Sequence, residues 1–261
     1  MPQLPLPQSL AGSTVVVAGG SSGIGLAAGV LLRTVGARVV VVARDEAKLA
    51  AAVEKLAAAG PDANQAVVGR TADACDEDEL RRALEPFDAI DHVMVTAGTL
   101  IMGPLTEIDR KAGSIVVDSR LWAAYSAARV TESRLPEGGS LTFVSGDFVR
   151  RPVPGTALAA AGLGAIEALT RGLAVELAPR RIRVNSIRAG GTDTPLIRSF
   201  LGHGADPTSE SADAAIAAMG AASPFGRLGT AQEVAAAALF LMANPYVTGS
   251  ILAVDGGQTL A

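Results

Sequence analysis

Short, unbroken apolar runs alternate with longer alanine-rich stretches along this chain. The runs are TVVVAGG (14–20), ARVVVVA (37–43), QAVVGRTAD (65–73), HVMVTAG (92–98), SLTFVSG (140–146), RIRVNSI (181–187) and ILAVDGG (251–257). They are rich in β-branched residues and do not alternate apolar with polar. Strands of a parallel sheet buried on both faces read this way. Between them, GLAAGVLLRTVG (25–36) and DEAKLAAAVEKLAAAG (45–60) read as helices, the second ended by Gly60 and Pro61. Further helices are expected at about 112–130 and 157–178. Strands separated by helices predict right-handed βαβ units of the α/β class. There is no internal repeat and no dividing linker, so residues 1–261 read as one domain, with 1–10 a flexible N-terminal segment. GHGADPTSESADAA (202–215) is the expected mobile loop.

Composition narrows the class. Of 261 residues, 49% are hydrophobic and 18% charged, enough apolar material for a full core with a surplus for a subunit interface. The net charge of -4 and the absence of any like-charge block argue against nucleic-acid binding. The segment MPQLPLPQSL has no basic residue and three prolines, unlike a targeting peptide. The uncharged stretch between Arg151 and Glu167 is shorter than the roughly 20 apolar residues a bilayer span needs. The expectation is a soluble cytoplasmic protein without a membrane partner. Cys75 is the one cysteine and reads as a small packed residue. His92 and His203 have no partner spaced for a metal, so no metal site is expected.

AGGSSGIG (18–25) follows the first strand and opens the first helix. Glycines in that setting allow a tight turn, close approach of backbone N–H groups to a pyrophosphate, and close helix–sheet packing. The helix N-terminus adds a favourable partial positive charge. With this turn stand AD (72–73), TAG (96–98), LAVELAPRRIRVNSI (173–187), GGTDTPL (190–196) and VTGSILAVDGG (247–257). Together they resemble the short-chain dehydrogenase/reductase family from about residue 11 to the end. The resemblance implies a single-domain, doubly wound Rossmann fold with a seven-stranded parallel sheet, binding a nicotinamide dinucleotide across the strand C-terminal ends.

It also implies site residues. Gly19, Ser21, Ser22, Gly23, Ile24 and Gly25 would cradle the pyrophosphate. Asp73 and Ala74 would edge the adenine. Gly98 would let the ribose and nicotinamide approach the backbone, and Thr192 and Thr194 would meet the carboxamide and phosphate. The family's Asn-Asn-Ala-Gly is Val95-Thr96-Ala97-Gly98 here, and its Pro-Gly is Ala189-Gly190. NAD-preferring members resemble one another in an acid at the end of the second strand. This chain has Ala43 and then Arg44, which leave room for a 2′-phosphate and a guanidinium to pair with it. NADP(H) is therefore the expected cofactor; the competing reading has Arg44 solvated and Asp45 on the ribose.

The family's proton chemistry uses a tyrosine, a lysine four residues on, a serine and an asparagine. An ungapped alignment from LAVELA puts Ala159 and Leu163 at the tyrosine and lysine positions, Gly146 at the serine position and Arg120 at the asparagine position. No Tyr-x-x-x-Lys occurs anywhere; the tyrosines are Tyr125 and Tyr246. The candidate catalytic groups are then Arg120 and Ser145. Arg120 either binds a carboxylate or polarises a carbonyl, with Asp147, a cofactor phosphate or an anionic ligand to neutralise it, or it points to the surface or a partner subunit. Three functions stay open: an NADP(H)-dependent carbonyl/alcohol oxidoreductase with a non-standard proton donor, a catalytically inactive NADP(H)-binding sensor or partner protein, and a redox-neutral enzyme keeping NADP(H) as structure. The expected ligand is a small molecule, anionic or carbonyl-bearing. The helix at 157–178, apolar on nearly all sides, and the stripe of Trp122, Ala123, Ala124, Ala127 and Ala128 predict a homodimer or homotetramer.

Overall fold

The computed structural model describes residues 6–60, 67–201 and 208–261. His203 and the first part of the 202–215 stretch lie outside them. The apolar runs form strands β1 (Thr14–Ala18), β2 (Arg38–Ala43), β3 (Val67–Thr71), β4 (His92–Val95), β5 (Ser140–Gly146) and β6 (Arg183–Ala189). A two-residue pairing of β7 (Thr192–Asp193) with β8 (Gly229–Thr230) follows, and β9 (Ile251–Val254) completes the sheet. The sheet order is β3-β2-β1-β4-β5-β6-β9, all seven strands parallel. β1 pairs with β2 on one side and β4 on the other, so the order reverses there and opens a crevice at the strand C-terminal ends.

The helices are α1 (Gly23–Thr34), α2 (Glu46–Ala58), α3 (Glu77–Leu84), α4 (Arg110–Thr131), α5 (Ala157–Leu177), α6 (Pro195–Leu201), α7 (Glu210–Ala221) and α8 (Ala231–Ala243). Alternate strand residues serve two cores. Val16, Ala18, Val40 and Val42 face α3, α4 and α5. Val15, Val17, Val39 and Val41 face α1, α2 and α8. Because both faces of the inner strands are buried, their runs needed no polar alternation.

Two local expectations change. Pro7–Leu10 form a 3-10 turn with Leu10 fully buried against the second core, so the flexible segment expected over 1–10 does not reach Leu10. The stretch expected as a loop over 202–215 is helical from Glu210, where Ser209 caps α7 by accepting from the Ala212 N–H. Serine before an alanine-rich run is a helix start, and the polar residues after it occupy the first turn.

α5 is the one described helix long and apolar enough to cross a membrane. It is a core helix: Ile166, Leu173, Ala174 and Leu177 are buried in the first core. The α4 stripe divides differently from the sequence expectation. Ala123, Ala124, Ala127 and Ala128 are buried within the chain, and only Trp122 and Ile115 stand outward. On α5 the small residues Ala161, Ala168 and Gly172 are exposed beside Arg171, Glu176 and Val175, the last 77% exposed.

Candidate cofactor and active site

The glycine turn is built by close approach. Gly19 has φ +88, and a β-carbon there would stand 2.7 Å from the Ala97 nitrogen. At Gly25 a β-carbon would stand 2.4 Å from the Gly19 carbonyl oxygen. Neither site accepts a side chain. The Thr96 hydroxyl donates to the Gly19 carbonyl at 3.0 Å and so ties the turn to β4. The Thr96 tie was not among the contacts expected from the sequence.

α1 starts with Ser22 as N-cap, and the Ser22 side chain accepts no capping bond. Helices α2, α3, α4, α7 and α8 all have a side-chain cap. α5 likewise lacks one, so it is the place of α1 directly after the glycine turn, where a helix N-terminus suits a phosphate, that marks its first-turn N–H groups as able to hold a ligand. Thr194 packs against Gly23, its side chain 3.5 Å from where a β-carbon would stand. Ser21 and Ile24 are partly buried beside the same turn. Thr192 is buried and donates to the Gly190 carbonyl at 2.8 Å. These residues fit a dinucleotide pyrophosphate.

The adenosine end of the crevice has Ala43 and Arg44 at the end of β2, and Asp73 and Ala74 after β3. Ala43 and Ala74 are buried. Arg44 is exposed, and its Nη1 is 3.7 Å from Asp73 Oδ2, a loose pair of little energetic weight. Asp45 instead caps α2, accepting from the Lys48 N–H at 3.0 Å, and this bond lowers its pKa. The cap uses one carboxylate oxygen of Asp45, and the other lies 3.7 Å from the exposed Lys48 Nζ. A cavity of about 650 Å³ opens here, lined by Arg44, Asp73, Cys75, Arg110 and Lys111 among others. Burial first, and then Asp73, push the Cys75 thiol up to about 12, so it is no nucleophile at neutral pH.

The expected catalytic positions come together, but as packing. Ala159 is 0% exposed and Leu163 is 4% exposed. A β-carbon on Gly146 would stand 3.0 Å from Leu163 Cδ1. Tyr246 is exposed in the stretch before β9, at the other end of the sheet, and Tyr125 stacks edge-on against Trp122 on α4.

Ser145 does not join the crevice. It is buried, 3.2 Å from the Leu163 carbonyl and 3.1 Å from Glu167 Oε1. Glu167 in turn holds Arg188 through two bonds of 2.8 and 2.7 Å. This buried network escaped the sequence reading; its one signal was an acid, Glu167, on the apolar side of α5. His92 is buried against the Ser140 hydroxyl at 2.9 Å, and burial first and Arg183 second push its pKa down to about 3. Asp255 accepts from the Gly257 and Thr259 N–H groups and the Thr259 hydroxyl, which makes it a turn-former.

Arg120 turns inward. A β-carbon on Gly98 would stand 2.9 Å from its Nη1 and 3.1 Å from its Cγ, and one on Gly162 would stand 3.7 Å from its Cδ. Two glycines thus make the room it occupies. Its Nη2 makes one long contact of 3.4 Å with the Thr99 carbonyl, and its Nε is shielded and unpartnered. Burial alone lowers its pKa, to about 10.

The family model described as Enoyl-(Acyl carrier protein) reductase matches residues 18–259. A relative from Stachybotrys chlorohalonatus, the short-chain dehydrogenase/reductase ATR9, is 34% identical over 262 residues, spanning 97% of this chain and 99% of that protein. The chain belongs to the short-chain dehydrogenase/reductase family. Two solved structures of that family extend the likeness. The MalC Reductase/Diels-Alderase from Malbranchea aurantiaca superposes with a TM-score of 0.86 at 29% identity, over 98% of this chain and 99% of its own. A short chain dehydrogenase from Burkholderia cenocepacia, solved in complex with NADP, gives a TM-score of 0.82 at 27% identity, over 97% and 99%. The seven-stranded parallel sheet, the glycine turn and the crevice are this family's architecture on the chain's own residues.

Proposed function

We propose that this protein is an NADP(H)-dependent oxidoreductase of the short-chain family that acts on a small carbonyl or alcohol substrate without a tyrosine proton donor. The observation that carries this reading is the contrast between the two halves of the crevice. The cradle is complete to the level of single β-carbons at Gly19 and Gly25. The position of the proton donor is packed shut by Ala159 and Leu163. The dinucleotide, when bound, supplies or accepts the hydride.

The chain's own residues then have limited roles. Ser22, Gly23, Ile24 and Gly25 hold the pyrophosphate, Asp73 and Ala74 edge the adenine, and Arg44 meets the 2′-phosphate. The NADP bound to the Burkholderia cenocepacia relative supports that choice of cofactor. Ser145, spent on Glu167 and the Leu163 carbonyl, leaves Arg120 as the polar group for the substrate side. Loss of a positioned general acid costs about 10²–10⁴ in rate, so turnover on plain ketones is slow. Cytoplasmic location and a twofold assembly through α4 and α5 belong to the same reading.

The packed Ala159 and Leu163 also favour a second reading: an NADP(H)-binding sensor or partner protein without turnover, or a redox-neutral enzyme. A relative named both a reductase and a Diels-Alderase supports the redox-neutral form. Calorimetric titration with NADPH and NADH, followed by absorbance at the nicotinamide band against a panel of carbonyls and alcohols, separates these readings. Oxidation of NADPH by any panel member supports the oxidoreductase. Tight NADPH binding with a flat trace across the panel supports the second reading.

A further inference from the structure

We propose that Arg120 is a carboxylate-binding residue and that the substrate of this site has a carboxylate group which the Arg120 guanidinium holds. This deepens the oxidoreductase reading and rests on it for the word substrate, though the binding itself does not need turnover.

The argument starts from an unbalanced charge. A guanidinium placed among apolar neighbours costs several kcal/mol unless an anion and full hydrogen bonding offset it. Among the described residues Arg120 has neither. Among the described residues no carboxylate forms an ion pair with it. Asp147 stands just after β5. Burial raises its pKa, Asp255 raises it further, and it makes no contact with Arg120. Glu167, one turn beyond Leu163 on α5, is committed to Arg188 and Ser145. Asp118 on α4 is exposed and lines the cavity beside Asp73. Of the three neutralising partners open at the sequence level, Asp147 is therefore removed, and a cofactor phosphate or an anionic ligand remain.

Geometry chooses between these two. The phosphate cradle lies at Gly19–Gly25 on β1 and α1, with its own N–H groups. Arg120 lies elsewhere, over Gly98 at the end of β4 and against Gly162 on α5. Its Nε is shielded, so the edge left to a ligand is the Nη1–Nη2 end, where Nη2 makes a single long contact with the Thr99 carbonyl. A planar two-oxygen anion is satisfied by such a guanidinium edge alone, through two parallel N–H···O bonds. A tetrahedral phosphate needs further donors for its other oxygens. Gly98 and Gly162, against which it packs, have no side chain to supply them. The two glycines also hold the guanidinium in place, because a side chain at Gly98 would displace it.

The test uses the full-length protein, benzoate as the carboxylate probe and benzamide as its neutral match. Binding is followed by ligand-observed NMR on the free protein and on protein loaded with NADP+. Benzoate is expected to bind at least about tenfold more tightly than benzamide, and Arg120→Met to abolish that preference. Arg120→Lys keeps the charge but loses the fork, and should weaken benzoate by about fivefold or more. Arg120→Met should fold about as stably as wild type, because the partly buried guanidinium it removes makes one long contact and no ion pair among the described residues. If it does not fold, the lysine variant and the benzoate–benzamide comparison still decide the matter. Equal binding of the two probes would overturn the proposal. So would an Arg120→Met protein whose NADP+ affinity falls about tenfold, since the guanidinium would then belong to the cofactor. Failure of wild type to bind NADP+ at all would defeat the oxidoreductase reading instead, and the free-protein arm would still judge Arg120.

Discussion

Arg120 on α4 lies directly over Gly98 at the end of β4, with Nη1 2.9 Å from where a β-carbon on Gly98 would stand. The glycine is not there for a left-handed turn; it is there for space. Gly98→Ala should therefore cost about 1–3 kcal/mol by overpacking. In an Arg120→Ala background, which removes the crowding atoms, the same change should cost little. Urea unfolding of the four proteins in a double-mutant cycle reads the coupling. Additive effects would mean that the two residues do not share this space.

Arg44 is exposed and only loosely held by Asp73, so it is available to a phosphate on the ribose, whereas Asp45 gives one carboxylate oxygen to the α2 cap. Arg44→Ala should weaken NADP(H) binding by about tenfold and leave NAD(H) binding nearly unchanged. Calorimetric titration of both cofactors checks it. An unchanged NADP(H) affinity would remove Arg44 from the site.

How far the sequence went is seen at these same residues. The glycine spacing, the unbroken strands and the small residue at 43 were legible because each is imposed by backbone geometry or by burial on both faces. The direction of Arg120 was not, since helix register does not say which way a long side chain folds; Gly98 and Gly162, far apart in sequence, make the room. Ser145 was misjudged for a related reason. Its partner Glu167 lies 22 residues away, and only the packing of α5 on β5 brings them together. The alanines of α4 read as an outer stripe and are an inner one, because alanine suits both a core helix and a close helix interface.

The outward face of α5 presents Ala161, Ala168 and Gly172, small residues that permit close helix approach, next to a half-exposed Trp122 on α4. A twofold assembly through this face is expected. Light scattering should report a dimer or tetramer at micromolar concentration. Ala168→Arg should split it to monomers with little change in a monomer's own fold, as position 168 is exposed within one chain. A monomeric wild type would contradict the expectation.

His92 gives a pH signature. Its folded-state pKa is pushed down to about 3, against an ordinary value of 6.5. Between those values the unfolded chain binds the proton and the folded chain does not. Its contribution to stability is whole above about 6.5 and is lost as pH falls toward 3. At pH 5 the loss is about 2 kcal/mol. Urea midpoints of wild type and His92→Gln from pH 7.5 to 4.5 should diverge in the sense that wild type falls faster. Parallel curves would show that His92 titrates normally in the fold.

Hydride transfer without a tyrosine is the central claim, and isotope transfer measures it most directly. The protein is incubated with NADPH deuterated at C4 and a panel of small carbonyl compounds that includes keto acids. Products are read by mass spectrometry over hours, long enough for a rate lowered by about 10²–10⁴. Hydride transfer gives product one mass unit heavier than its protiated control, most of all from the carboxylate-bearing members. Tight NADPH binding with no deuterium in any product would contradict it and leave a nicotinamide-binding protein that does no redox chemistry.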